Sequence, residues 1–203
     1  MSMRWPLSLL ACLALAVAPA ALSAQTAPGV VGVSNSDLET RPRFRHNQKL
    51  IAAYDSVADS THLAVVTHKG EYFLWRQRPR LTWTISYVGQ TPASQPPGEI
   101  LLIFRTQNPQ VPLDSRLVLE FAVGERLEVT SVSAYSDPGP MTSSLFMRFP
   151  LPTCELAEAL ASEEMRLWVG GIRVDFKPDQ MEALRDLLSR LGAWPPASVA
   201  GGA

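Results

Sequence analysis

Cysteine, histidine, lysine and charge of either sign are all scarce in this chain. Only 18% of its 203 residues are charged, against roughly one quarter in ordinary soluble domains, and the formal net charge is -1. Two cysteines, Cys12 and Cys154, are too few for a disulfide scaffold. With three histidines and neither H-E-x-x-H nor paired C-x-x-C, no metal site is implied. Neither G-x-G-x-x-G nor G-x-x-x-x-G-K occurs, so no nucleotide and no cofactor is expected. A pI near 6.3 gives no electrostatic reason to look for nucleic acid. Hydrophobic residues nevertheless make up 46% of the chain, which excludes disorder as the default state.

The longest apolar run is at the start. Arg4 supplies a positive charge, Trp5 to Leu22 is nearly unbroken hydrophobic sequence, and Ser23 and Ala24 are small. That order reads as a secretory signal peptide over residues 1–24, cut before Gln25. Two other readings stay open. A retained anchor needs about 20 apolar residues, and Pro6 and Pro19 interrupt this run. Leu9 to Cys12 resembles a bacterial lipoprotein box, which would lipidate Cys12. The expected location is therefore exported, periplasmic or extracellular. Removal of 1–24 leaves 17 basic and 19 acidic residues and Cys154 as the lone thiol.

Residues 25–40, where Gly, Ser, Asn, Pro and Thr dominate, read as a flexible tether, and 193–203 as a flexible tail. One domain is expected between them, over 41–192. Its pattern is mostly period two. Leu81, Trp83, Ile85 and Tyr87 alternate with Thr82, Thr84 and Ser86, a half-buried strand. Ile100 to Phe104 is apolar on both faces, as for a strand covered on two sides. Thr61 to His68 reads as a strand, preceded by a turn at Asp59 and Ser60. Leu117, Leu119, Phe121 and Val123 alternate up to Gly124, and a three-residue loop would pair Phe121 with Val129. Gly170 and Gly171 predict a two-residue hairpin pairing Val169 with Ile172, Leu167 with Val174 and Met165 with Phe176. Its other face sets Trp168 against Arg173 and Arg166 against Asp175.

Two helices are expected. Pro178 starts an amphipathic helix near 178–191, with Met181, Leu184, Leu188 and Leu191 on one stripe and Gly192 closing it. A shorter helix near 153–162 would use Thr153 as its cap. Short strands with frequent turns give a mainly β fold, an antiparallel β-sandwich of about seven to nine strands, with the last helix over an edge or open end.

Reactive constellations are wanting. There is no G-x-S-x-G and no S-x-x-K. Cys154 would sit in a helical first turn, but Glu155 and Glu158 beside it oppose a thiolate, so a small buried residue that stays reduced is expected. In an extended strand His62 and His68 would stand roughly 20 Å apart, too far to share an ion. Asp55 with Asp59, and Glu163 with Glu164, read as a turn and a solvated loop.

Arginine is the unusual feature. Arg41, Arg43 and Arg45, and again Arg76, Arg78 and Arg80, occupy alternate positions, with Trp75 and Phe44 nearby. In extended backbone each triplet forms a row about 6.5 Å apart on one face. Residues 25–80 carry net +3 and residues 81–203 net -5. The functional expectation is a non-enzymatic binding or accessory module, an extrinsic subunit of a membrane-associated complex. It would contact a protein or an anionic membrane or envelope surface through Arg41, Arg43, Arg45, Trp75, Arg76, Arg78 and Arg80. The structural explanation is that charge and Pro guard exposed strand edges. Two other classes remain: a carbohydrate-binding module using Trp75, Tyr72 or Trp168, and a hydrolase on an all-β scaffold. Mass spectrometry of the exported protein should find Gln25 at its N-terminus; a lipidated Cys12 would contradict that.

Overall fold

Alternating side chains build two antiparallel sheets with the large apolar residues between them. The computed structural model describes residues 34–73, 76–90, 96–108, 110–121, 124–138 and 143–196, with backbone alone for 34–37, 71–73, 76 and 77. The leader over 1–24, Cys12, Trp75 and Val123 lie outside the described residues. The first sheet has seven strands: β1 (Ser34–Leu38), β2 (Leu50–Asp55), β3 (Ser60–Phe73), β4 (Arg76–Val88), β5 (Glu99–Thr106), β8 (Ser133–Pro138) and β9 (Ser143–Pro152), in the order β1-β2-β3-β4-β5-β9-β8. The second has four: β6 (Arg116–Phe121), β7 (Arg126–Thr130), β10 (Met165–Val169) and β11 (Ile172–Asp175), in the order β11-β10-β6-β7. The architecture fits a β-sandwich with short helices, with eleven strands among the described residues rather than seven to nine. The segment expected as tether supplies one of them, since 34–38 pairs with β2.

One core spans both sheets. Leu81 and Trp83 of β4, Ile100, Leu102 and Phe104 of β5, and Met147 and Phe149 of β9 are shut off from solvent, as are Leu117, Leu119, Leu167 and Val169 of the smaller sheet. Strand β5 is not covered on both sides, as its sequence led us to expect: Leu101 and Ile103 on its outward face are only half-buried. Helices α1 (Thr153–Ala161) and α2 (Pro178–Arg190) complete the inner layer. β7 contacts β9 at one side and α2 contacts β3 at the other, so the smaller sheet and α2 together lie along the inner face of the larger sheet. Among the described residues no helix is long and apolar enough to cross a membrane.

The Gly-Gly hairpin has the expected register, with Val169 opposite Ile172, Leu167 opposite Val174, Trp168 opposite Arg173 and Arg166 opposite Asp175. Phe176 N–H donates to the Met165 carbonyl at 3.0 Å, extending the pairing one step. Gly170 is required there: φ is +53°, and a Cβ would lie 2.7 Å from Ser115 Oγ and 2.8 Å from Val111 Cγ1. The β6–β7 register is corrected. Leu117 faces Val129 and Leu119 faces Leu127, so Phe121 is not opposite Val129. The turn closes earlier than the glycine suggested, with Phe121 N–H donating to Glu125 O and Gly124 N–H to Phe121 O. The shift keeps apolar residues paired and sets Glu120 opposite Arg126, ion-paired at 2.9 Å.

α2 matches its expected limits and ends with Ala193 N–H on Leu188 O and Gly192 at φ +72°. Residues expected to begin a tail instead pack on the core at Ala193 and Trp194. Thr153 does not cap α1; its hydroxyl donates to Pro97 O at 2.6 Å and so ties the helix start to the loop before β5. Cys154 is exposed rather than buried. Arg185 of α2 closes the other end of α1, donating to Leu160 O and Ser162 O, which suits a cation at a helix C-terminus.

A second tie is ionic and buried. Asp186 of α2 is fully enclosed. Its Oδ2 accepts from Arg41 N–H at 3.3 Å and from Arg190 at 3.1 Å, and faces His46 Nε2 at 3.2 Å. Arg190 Nε stands 3.1 Å from Oδ1. The segment 39–48 is thereby clipped along α2, with Arg41 also donating to Ser189 O and Oγ. Asp186→Ala leaves buried cations unmatched and should cost about 3–5 kcal/mol. Urea unfolding checks this; a loss below about 1 kcal/mol would show that the clip contributes little.

Candidate functional site

The most built concavity follows from one extra residue in β3. The β3–β4 ladder runs from Ser60–Val88 to Val66–Thr82, then resumes at His68–Leu81, so Thr67 is an inserted bulge residue. Plain alternation would put His68 on the outer face with His62, Ala64 and Val66. The bulge turns it inward, where its ring meets Phe176 edge-on at 5.0 Å. Thr67 is buried and fully used: its Oγ1 accepts from Trp83 Nε1 at 3.0 Å, and its carbonyl accepts from Gln180 Nε2 at 2.6 Å. Gln180 Oε1 in turn accepts from Lys177 N–H at 2.8 Å, capping α2 with the side chain that ties it to β3. Gly70, at φ +74°, then bends β3 beyond the bulge.

Between this bend and the β11–α2 junction lies a cleft of about 470 Å³. Lys69, Arg78, Arg173 and Lys177 line it, with Asp175 the one carboxylate among the described residues that do so, and Glu71 stands opposite Arg78 in the β3–β4 ladder. Asp175 is already engaged, accepting from Arg173 at 2.7 and 2.9 Å. Pro79 and Val174 contribute apolar wall, and Gln48, Gln180 and Thr67 polar neutral surface. Burial pushes His68 down to about 4; the Asp175 backbone carbonyl pulls the other way, and Lys177 and Arg78 add to the downward shift. At neutral pH the cleft is therefore lined by four cationic side chains, one of them paired with Asp175, beside an uncharged imidazole.

The sequence-predicted arginines are not brought together. Residues 41–45 turn instead of extending, with Phe44 N–H donating to Arg41 O at 2.9 Å. Arg41 goes inward to α2, Arg43 lies over the Phe44 ring at 4.7 Å, and Arg45 is exposed. They form no row. Arg76, Arg78 and Arg80 do lie in one strand, β4. Arg78 lines the cleft, while Arg80 pairs across the sheet with Lys69 and Arg105. The side chains of Arg76 and Tyr72, and all of Trp75, lie outside the described residues. Edge protection explains part of the triplet, because β5 pairs with β4 only from Arg80 onward and leaves Arg76 to Pro79 with a free side. Trp168 is engaged already, donating Nε1 to Glu120 at 3.0 Å beneath Arg173. Lys69, His68, Arg173, Lys177 and Gln180 were missed as site residues. No local sequence signal marks them, because a bulge and a contact between positions 67 and 180 bring them together.

Among the described residues, the other histidines and the second concavity have their polar groups engaged by neighbours. His46 has both ring nitrogens occupied, by Asp186 and by Gln48 O at 3.1 Å. His62 lies between Ser60 Oγ at 3.2 Å and Ser86 Oγ at 2.6 Å on the open outer sheet face, with no carboxylate among its hydrogen-bond partners. Glu120 and Glu164 share a second concavity of about 380 Å³ with Arg126 and Arg166, each carboxylate taken up by its arginine at 2.9 and 3.1 Å. No family model, curated protein or solved structure matches the chain.

His68 makes stability pH-dependent with a definite sign. The unfolded chain protonates it near 6.5 and the folded one near 4, so the unfolded state binds more protons between those values. Stability should be flat above pH 6.5, fall by about 2 kcal/mol on descending to pH 4 after allowance for partial exposure, and level off below. Chemical denaturation across that range should show this slope reduced in His68→Gln; an unchanged slope would remove His68 as its source.

Proposed function

We propose that this chain is an exported, non-enzymatic binding or accessory module that holds an anionic group of a membrane- or envelope-associated partner in the basic cleft. What carries the reading is the convergence of Lys69, Arg78, Arg173 and Lys177 on one cleft. Cations on separate elements, β3, β4, β11 and the β11–α2 junction, are held by the Thr67–Gln180 tie. They surround an imidazole kept neutral mainly by burial. Among the described residues, charge is gathered there without a hydroxyl or thiol nucleophile beside it or a free acid–base pair, which favours binding over turnover.

Electrostatic capture weakens with salt. Association of the wild-type protein with native envelope membranes should fall steadily from about 50 to about 300 mM NaCl. Arg78→Gln combined with Lys177→Gln should weaken binding about tenfold at low salt and flatten the dependence, since two of the four charges are lost. Arg43→Gln with Arg45→Gln, outside the cleft, should change little. Unaltered binding and salt dependence in the cleft variant would overturn the proposal.

A further inference from the structure

The two outer faces of the sandwich treat charge oppositely. On the smaller sheet the cations are matched: Arg126 with Glu120, Arg116 with Glu128, Arg166 with Glu164 and Asp175, and Arg173 with Asp175. On the larger sheet a cross-strand row runs Lys69, Arg80, Arg105, Phe146, Tyr135, one residue from each of β3, β4, β5, β9 and β8. Arg148, two residues along β9 from Phe146, adds a fourth cation. Neither this row nor the one on its Thr82 side, Val66, Thr82, Ile103, Arg148 and Ser133, contains a carboxylate, whereas on its other side stand Asp137, opposite Ser144, and Glu71, opposite Arg78. Lys69, Arg80 and Arg148 have no hydrogen bond or ion pair through their side chains among the described residues.

Arg80 and Arg105 lie on central strands, so edge protection does not account for them. The far end of the row is aromatic. Tyr135 and Phe146 stack with centroids 5.0 Å apart and planes 5° from parallel, and Arg105 lies over Phe146 at 5.0 Å. Tyr135 is 47% exposed. Strands stand about 4.8 Å apart, so the row is roughly 19 Å long with its cations at strand spacing.

We infer that this outer row binds a linear anionic polysaccharide, a uronate chain whose carboxylates meet Lys69, Arg80, Arg105 and Arg148 and whose sugar-ring face packs on Tyr135. This rests on the reading of the chain as an anion binder, because Lys69 also lines the cleft. A uronate chain offers one charge and one apolar ring face per sugar, which suits a row that is cationic along its length and aromatic at its end. Single-stranded nucleic acid calls for successive exposed rings and a dense basic groove. Here a single large exposed ring closes the row on a chain of net charge -1. A bilayer would call for protruding apolar side chains, whereas Leu101 and Ile103 on this face are half-buried.

Calorimetric titration of the full mature chain with hexagalacturonate tests the inference, against cellohexaose, oligo(dT) and phosphatidylglycerol vesicles. Hexagalacturonate should bind and cellohexaose bind at least about tenfold more weakly. Tyr135→Ala and Arg80→Gln, both at exposed positions, should each weaken it about fivefold, and Arg78→Gln with Lys177→Gln should leave it nearly unchanged. Tighter binding of oligo(dT) or the vesicles than of hexagalacturonate would overturn the polysaccharide. Loss in the cleft variant with none in Tyr135→Ala or Arg80→Gln would place the ligand in the cleft and overturn the row. Absence of hexagalacturonate binding, with membrane association still dependent on Arg78 and Lys177, would overturn the row and leave the cleft reading standing.

Discussion

The extra residue at Thr67 is the constraint from which the functional half of the molecule follows. Without it, His68 would face outward and the β3–β4 pair would run straight past the end of α2. With it, Thr67 offers its hydroxyl to Trp83 and its carbonyl to Gln180, so one buried residue joins the central strand, the core tryptophan and the helix. A buried carbonyl and hydroxyl left unpaired would cost on the order of 1–3 kcal/mol each. The tie therefore fixes where α2 begins, and with it the position of Lys177 across from Lys69 and Arg78. The cleft is a by-product of satisfying backbone polar groups at a bulge.

Charge is distributed with the same economy. Where an ion must be buried, as Asp186 is, it is surrounded by Arg41, His46 and Arg190 and used to hold the N-terminal segment to α2. Where ions are exposed on the smaller sheet, they are paired across or along strands and contribute little individually. On the larger sheet Lys69, Arg80 and Arg148 have no side-chain hydrogen bond or ion pair among the described residues.

How much of this is legible in the sequence depends on whether a local feature decides it. The Gly170–Gly171 hairpin is legible because a two-residue turn fixes the register of everything attached to it. α2 is legible because Pro178 and Gly192 mark its ends and its stripe is apolar. The β6–β7 register is not, because Gly124 alone leaves the loop length free and the Glu120–Arg126 pair selects it. Alternate arginines at 41–45 suggested a row, but Arg41 finds better partners on α2 and the backbone turns to let it. Leu101 and Ile103 suggested a strand covered on both sides, though one face is only half-buried. The cleft itself is illegible: a β-bulge has no reliable signature, and the contact that completes it joins positions 113 residues apart.

The central claim is that the cations gathered around the β3 bend, Lys69, Arg78, Arg173 and Lys177, form an anion site. Backbone and side-chain NMR of the protein during titration with pyrophosphate tests it most directly. Saturable shifts confined to Lys69, Arg78, Arg173, Lys177 and the His68 ring are expected, lost on substituting Arg78 and Lys177. Shifts scattered over both sheets without saturation, or centred on the ion-paired face of the smaller sheet, would contradict the account.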